Sequence, residues 1–213
     1  MKPLFTVFLL LILLNACSNK GSVENKVNNS VNLLHDIAPF TSDSLVNVVI
    51  EIPAGTNQKW EVDKVSGKIA WEQVTPDSLR VVKYLPYPAN YGFVPQTLLT
   101  DASGGDGDPV DVFVLGSSID RGTITKVKIV GIINMLDDGK SDSKLLAVNI
   151  NEAIFNIHTF EMLLNEYPGA ADIIKLWLLN YKGIGRVEII SVGDEKDAIQ
   201  YLRTTHIAYH KNK

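Results

Sequence analysis

The sequence predicts an α+β fold: a strand-rich core closed as a small β-barrel, with helices flanking it at the C-terminal end. Strand-like, β-branched runs dominate from Leu45 to Ile150, and helical periodicity sets in only after Ala170. The composition is ordinary for a globular protein, with 46% hydrophobic and 21% charged residues among 213, enough for one domain with a real core plus appendages. There is no internal repeat. The net charge of −4 supplies no basic face, so no nucleic-acid partner is expected.

The chain opens with MKPLFTVFLLLILLNAC, in which Lys2 precedes an apolar run from Leu4 to Leu14. That run is short for a bilayer span and reads as a secretory signal. Leu14-Asn15-Ala16-Cys17 resembles a bacterial lipobox, and Cys17 is the only cysteine. Residues 1–16 are therefore expected to be a lipoprotein signal peptide, with lipid on Cys17 as the membrane partner. Such an exported protein has no thiol left for an intrachain disulfide. Residues 17–32, rich in Asn, Ser and Lys, read as a flexible tether, and 33–213 as the domain. The expected location is the cell envelope, facing the periplasm. Ser18 gives no clear inner-membrane retention signal, which favours the outer membrane.

Within the domain, Leu45–Ile52 forms a first strand that stops at Pro53-Ala54-Gly55. Lys59–Val62 and Lys68–Trp71 read as a hairpin about Ser66-Gly67. Val110–Leu115, Thr123–Met135, Lys144–Ile150 and Val187–Val192 are further strands. Ala170–Tyr181 reads as a helix with Ile173, Trp177 and Tyr181 on one face. Asp194–Tyr209 reads as another, with Ile199, Leu202 and Tyr209 inward.

The stretch SGGDGDPVDVFVL places Asp106, Asp108 and Asp111 at the mouth of an apolar strand with no lysine or arginine among them. An EF-hand fails, because Val110 and Asp111 occupy its fifth and sixth places. A haloacid-dehalogenase-type phosphatase would need a hydrophobic strand before the first aspartate, where Ser103-Gly104-Gly105 stands. A solvated acidic turn and a magnesium site remain open. Magnesium takes oxygen ligands and keeps several waters, so a few carboxylates suffice, and such a cluster can hold more than one ion.

A second acidic turn, MLDDGKSDSKLLAV, adds Asp137, Asp138, Asp142 and Lys144. Lys59 and Glu61 alternate along one strand face, and Glu51 interrupts an apolar strand, where burial without a partner would be costly. Each of these three, taken singly, also fits a surface charge. Together, carboxylates for metals and cations for phosphate oxygens suit a highly anionic substrate.

These motifs, with YPANYGFVPQTL (Tyr87 to Leu98), VNVVIEIPAG, KWEVDK and NYKG, resemble family I soluble inorganic pyrophosphatases in the family's order across the domain. The resemblance implies an OB-like barrel flanked by helices, several Mg2+ ions per site, and hydrolysis of pyrophosphate to two phosphates. It implies magnesium ligation by Asp106, Asp111 and Asp142, with Asp137, Glu51 and Glu61 as further metal-reaching acids and Asp138 as an accessory acid. The resemblance implies for Asp108 the catalytic role of accepting a proton from water. Lys59, Arg80, Tyr91, Lys144, Tyr181 and Lys182 are implied to hold the substrate. Arg80 stands one residue nearer Tyr87 than the family spacing, and Lys83 is the alternative. Members from bacteria are commonly hexamers, so a homo-oligomer is expected. Rival readings are a non-catalytic anion- or partner-binding lipoprotein on the same barrel, and a phosphatase of organic phosphoesters.

Overall fold

The computed structural model describes residues 31–42, 44–152 and 156–213. The signal peptide, Cys17 and almost all of the tether read from the sequence lie outside the described residues. The elements run β1 (Val46–Ile52), β2 (Trp60–Val62), β3 (Ile69–Trp71), β4 (Gln73–Thr75), β5 (Ser78–Leu79), β6 (Asn90–Val94) and β7 (Val110–Leu115). Then follow β8 (Ile124–Asp137), β9 (Lys140–Ser141), β10 (Lys144–Asn149), α1 (Phe160–Glu166), α2 (Ala170–Asn180), β11 (Val187–Gly193) and α3 (Glu195–Lys211). Among the described residues no helix is long and apolar enough to cross a membrane.

β1 pairs with β6, β6 with β7, β7 with β10 and β10 with β8, and β8 returns to pair with β1. Every one of these pairings is antiparallel except β7–β10. The period-two geometry of β7 explains its sequence. Val110, Val112 and Val114 point into a cluster with Val48, Ile50, Leu145 and Ala147. Phe113 and Leu115 point the other way, into a cluster with Ile52, Leu146 and Trp177. Asp111 lies on that second side, opposite its valine neighbours. β8 is long, at 14 residues, because it serves successive partners: β1 near its start, β10 in the middle, then β11 and β9. The hairpin about Ser66-Gly67 forms as β2 and β3, with Val62 opposite Ile69.

β6 (NYGFV) is buried throughout, though its Asn and Gly are poor strand formers and hid it from propensity reasoning. Gly92 is required there: a Cβ would lie 1.9 Å from the Val49 carbonyl oxygen of β1. The helical face expected on α2 needs correction. Ile173 is 59% exposed, and the inward face is Ala171, Ile174, Trp177 and Leu178. Trp177 is common to both faces and stays inward, its indole N–H donating to the Leu85 carbonyl at 2.9 Å, while Ile174 and Leu178 rather than Ile173 pack beside it. α3 is capped by Asp194, whose carboxylate accepts from the N–H groups of Lys196 and Asp197. Its inward residues are Ala198, Leu202, Thr205 and Tyr209, with Ile199 half-buried.

The close approach at Gly92 yields a stability test. Gly92→Ala should cost ~3 kcal/mol by forcing β6 away from β1, read as a lower urea midpoint. An unchanged midpoint would show that the strands tolerate the extra carbon.

Candidate active site

The parallel pairing of β7 and β10 sets the floor. Its register places Lys144 beside Asp111. The Lys144 ammonium donates to Asp111 Oδ2 and Asp142 Oδ1, each at 2.5 Å, and is itself only 4% exposed. From β6, the Tyr91 hydroxyl donates to the same Asp111 oxygen at 2.6 Å. Burial opposes charge on Lys144, but Asp111 and Asp142 outweigh it and hold its pKa well above that of an ordinary lysine. One ammonium serves two carboxylates, so burial, with Asp111 adding, raises the Asp142 pKa despite Lys144. Burial also pushes the Tyr91 hydroxyl far up, and Asp111 adds to this, so the tyrosine remains a donor.

The aspartate turn leads into this floor. Gly107 adopts φ 81°, and its N–H donates to Leu99 O at 2.8 Å. Asp106 Oδ1 accepts from the Asp108 N–H at 3.0 Å. The Asp106 pKa is raised, by burial first and then by the Asp108 charge. The Asp108 side chain is half-exposed and forms an ion pair with Lys64, which the sequence reading missed. Lys64 lies in the turn after β2, where it resembles any solvated hairpin lysine.

Glu51, Lys59 and Glu61 form a wall. The surface-charge reading fails for Glu51, which is 3% exposed and accepts from the Val62 N–H at 2.7 Å. Burial pushes its pKa up to about 8 even though Lys59 pulls it down. Burial works against charge on Lys59 as well, but Tyr87, Glu51, Asp111 and Glu61 more than offset this and raise its pKa. Lys59 Nζ is 3.4 Å from the half-exposed Glu61. With Lys64, Asp108 and Asp111, these residues line a cavity of ≈ 390 Å³. Tyr87, a second residue the sequence reading passed over, is buried and has its pKa pushed up to about 12 by burial.

A second cavity of ≈ 290 Å³ is lined by Arg80, Lys83, Tyr181, Lys182 and Arg186. Arg80 Nη1 reaches both Glu72 oxygens, at 2.8 and 2.9 Å. Lys83 lines the same cavity but is exposed. Tyr181 stacks on Trp177 with centroids 4.5 Å apart and planes at 11°. Burial raises the Tyr181 pKa, with Lys144 opposing and Asp137 adding. Lys182 pairs with Asp137, whose other oxygen is buried without a hydrogen-bond partner among the described residues. Asp138 takes φ 51° in the turn between β8 and β9, and its carboxylate receives the Arg186 guanidinium, with Nη2 at 2.6 Å. Arg186 also escaped the sequence reading.

The structure thus gathers the sequence-selected acids and cations around these two cavities. Among the described residues no three of the acids are close enough together to hold one ion as they stand. Lys144 lies between Asp111 and Asp142, and Lys182 covers one oxygen of Asp137. The donors nevertheless fit a hard divalent cation. They are all carboxylate oxygens, and one buried Asp137 oxygen has no hydrogen-bond partner among the described residues.

A mixed sheet bearing clustered carboxylates opposite lysine, arginine and tyrosine donors defines a site of the metal-dependent phosphate-hydrolase class. The family model described as inorganic pyrophosphatase matches residues 48–210, and the chain belongs to that family. The Campylobacter jejuni inorganic pyrophosphatase is 37% identical over 165 residues, covering 74% of this chain and 87% of that protein. The corresponding protein of Helicobacter pylori strain J99 is 36% identical over 173 residues, covering 79% and 92%. A type I inorganic pyrophosphatase structure from Toxoplasma gondii superposes with a TM-score of 0.80 at 26% identity, covering 86% of this chain and 89% of that one.

Glu51 gives a pH test for metal-free protein. Its folded pKa of about 8 lies above the ordinary 4.5, so its contribution to stability is full below pH 4.5 and is lost as pH rises toward 8. Glu51→Gln should flatten that decline in melting temperature between pH 4.5 and 8. A variant whose pH profile parallels the parent would remove Glu51 as its source.

Proposed function

We propose that this chain hydrolyses inorganic pyrophosphate to two phosphates with Mg2+, from a lipid-anchored position in the cell envelope. The observation that carries the reading is Asp111–Lys144–Asp142, buried beside Tyr91, in a chain matching the family across its domain. The circuit of strand pairings is read as the family's OB-like closed barrel.

Asp106, Asp111 and Asp142 would hold magnesium, with Asp137, Glu51 and Glu61 reaching further ions and Asp138 bracing the turn through Arg186. Magnesium there supplies Lewis acidity that makes water a nucleophile at neutral pH and offsets phosphate charge. Asp108, half-exposed at the cavity mouth, accepts one proton of the attacking water and orients its lone pair toward phosphorus. Lys59 and Lys144 bind oxygens of the attacked phosphoryl group, and Tyr91 donates toward the same side. Arg80, Tyr181 and Lys182 line the second cavity and take the departing phosphate. Arg80 is preferred to Lys83 because Glu72 fixes its guanidinium. With ions on the carboxylates, the ammonium and guanidinium groups are free to exchange their carboxylate partners for phosphate oxygens. Positioning and charge stabilisation of this kind supply most of the catalysis in phosphoryl transfer.

The lipobox-like Leu14-Asn15-Ala16-Cys17 supports export and acylation at Cys17, and a homo-oligomer belongs to the same reading through the family resemblance.

Purified protein should release phosphate from pyrophosphate with Mg2+ and stop when a chelator is added; no release would leave a non-catalytic binder. Preference for nucleotides or sugar phosphates would favour the organic-phosphatase reading. Asp108→Asn should lower kcat by ~10²–10⁴-fold with unchanged circular dichroism, and a near-parental rate would strip Asp108 of its role. Cys17→Ser should shift the protein from the membrane pellet to the soluble fraction, as judged by immunoblot after fractionation. Retention in the pellet would count against acylation there.

A further inference from the structure

The last turns of α3 carry chemistry that the hydrolytic site does not use. His206 and His210 stand four residues apart on the helix, with ring centroids 4.5 Å from each other and planes at 78°. His206 Nδ1 lies 2.7 Å from the main-chain oxygen of Gln96. A carbonyl oxygen only accepts, so Nδ1 carries the proton, and the neutral ring keeps its lone pair on Nε2. Gln96 is itself held, its side-chain amide donating to the His35 carbonyl at 2.8 Å. A tautomer fixed by a carbonyl behind the ring is the arrangement typical of metal-ligating imidazoles. His210 is exposed, and its ring contacts His206 and Tyr209 without a hydrogen bond among the described residues.

The spacing fits a shared ion. Metal–nitrogen bonds of about 2.0–2.1 Å place the centroids of two adjacent imidazole ligands roughly 4.5–5 Å apart. α3 ends at Lys211, and the negative end of the helix dipole favours a cation in this last turn.

We propose that His206 and His210 form a two-imidazole site for a borderline divalent transition-metal ion of the Zn2+, Ni2+ and Cu2+ class, with water completing the coordination. Its donors differ in kind from those of the catalytic cleft, where all-oxygen ligands suit a hard cation. Tyr209 lies between the two in sequence, and its hydroxyl is 2.7 Å from His35 Nδ1. An ion at the pair therefore also stiffens the point where the segment entering the domain meets the C-terminal helix.

The test uses untagged full-chain protein with Mg2+ in excess to occupy the carboxylates. Cu2+ is added to one equivalent and read by electron paramagnetic resonance, in which nitrogen splitting counts imidazole ligands. Two nitrogen donors are expected in the parent, one in His210→Ala or His206→Gln, and none in the double variant. Affinity for Ni2+ should fall at least about tenfold in His210→Ala. Because His210 lies on the surface, that variant should keep its fold, and its pyrophosphate hydrolysis should be unchanged. A spectrum without nitrogen splitting in the parent, or splitting that survives in the double variant or vanishes in His158→Ala, overturns the proposal. None of these spectra depends on whether the protein hydrolyses pyrophosphate.

Discussion

The Lys144 ammonium, shared between Asp111 and Asp142, is the contact around which the rest of the site is arranged. Two largely buried carboxylates, Asp111 on β7 and Asp142 just ahead of β10, repel each other in a medium that screens poorly. A single lysine between them makes the arrangement tolerable, and taking it away would strand charge in the interior at a cost of several kcal/mol. The lysine can occupy that position only because β7 and β10 run parallel in a register that sets Lys144 level with Asp111. Tyr91 closes the third side from β6.

The frame that enforces this register is itself over-determined. β8 holds β1, β10 and β11 at successive points along its length, so a slip of β10 would disturb several ladders together. A one-residue slip would also turn Leu145 and Ala147 out of one apolar cluster and Leu146 and Val148 out of the other. The hydrophobic pattern of KLLAVN thereby fixes where the charged chemistry falls. α2 contributes from outside the strands, where the Trp177–Tyr181 stack delivers a phenol to the second cavity.

Much of this was legible in the sequence because the informative residues break a strong local pattern. An acid in LVNVVIEI or a triad of aspartates before VFVL stands out against alternating apolar residues, and such breaks mark sites. The long strands and both longer helices were legible for the same reason. What stayed hidden lacked that contrast. Lys64 and Arg186 lie in polar turns, where a cation is unremarked, and only the fold brings them onto Asp108 and Asp138. β6 hid behind Gly92 and Asn90, residues kept for close approach and for hydrogen bonds to the Val114 and Ser117 carbonyls. On α2, Ile173 and Ile174 each lie within a turn of Trp177, so periodicity alone does not tell which of them faces inward.

The pairing of nearly every cation in the cleft with a carboxylate has a kinetic consequence. Lys144, Lys182, Arg80 and Lys64 each face an acid; acids prevail in the lining of the first cavity, whereas the charged residues lining the second are all cations. The field is therefore divided, repulsive toward an approaching polyanion over the first cavity and attractive over the second. Divalent cations held by the acids of the first cavity would cancel its repulsive part. A polyanion reaching across both cavities would then meet the cationic one first and settle fully only once the acids of the other are neutralised.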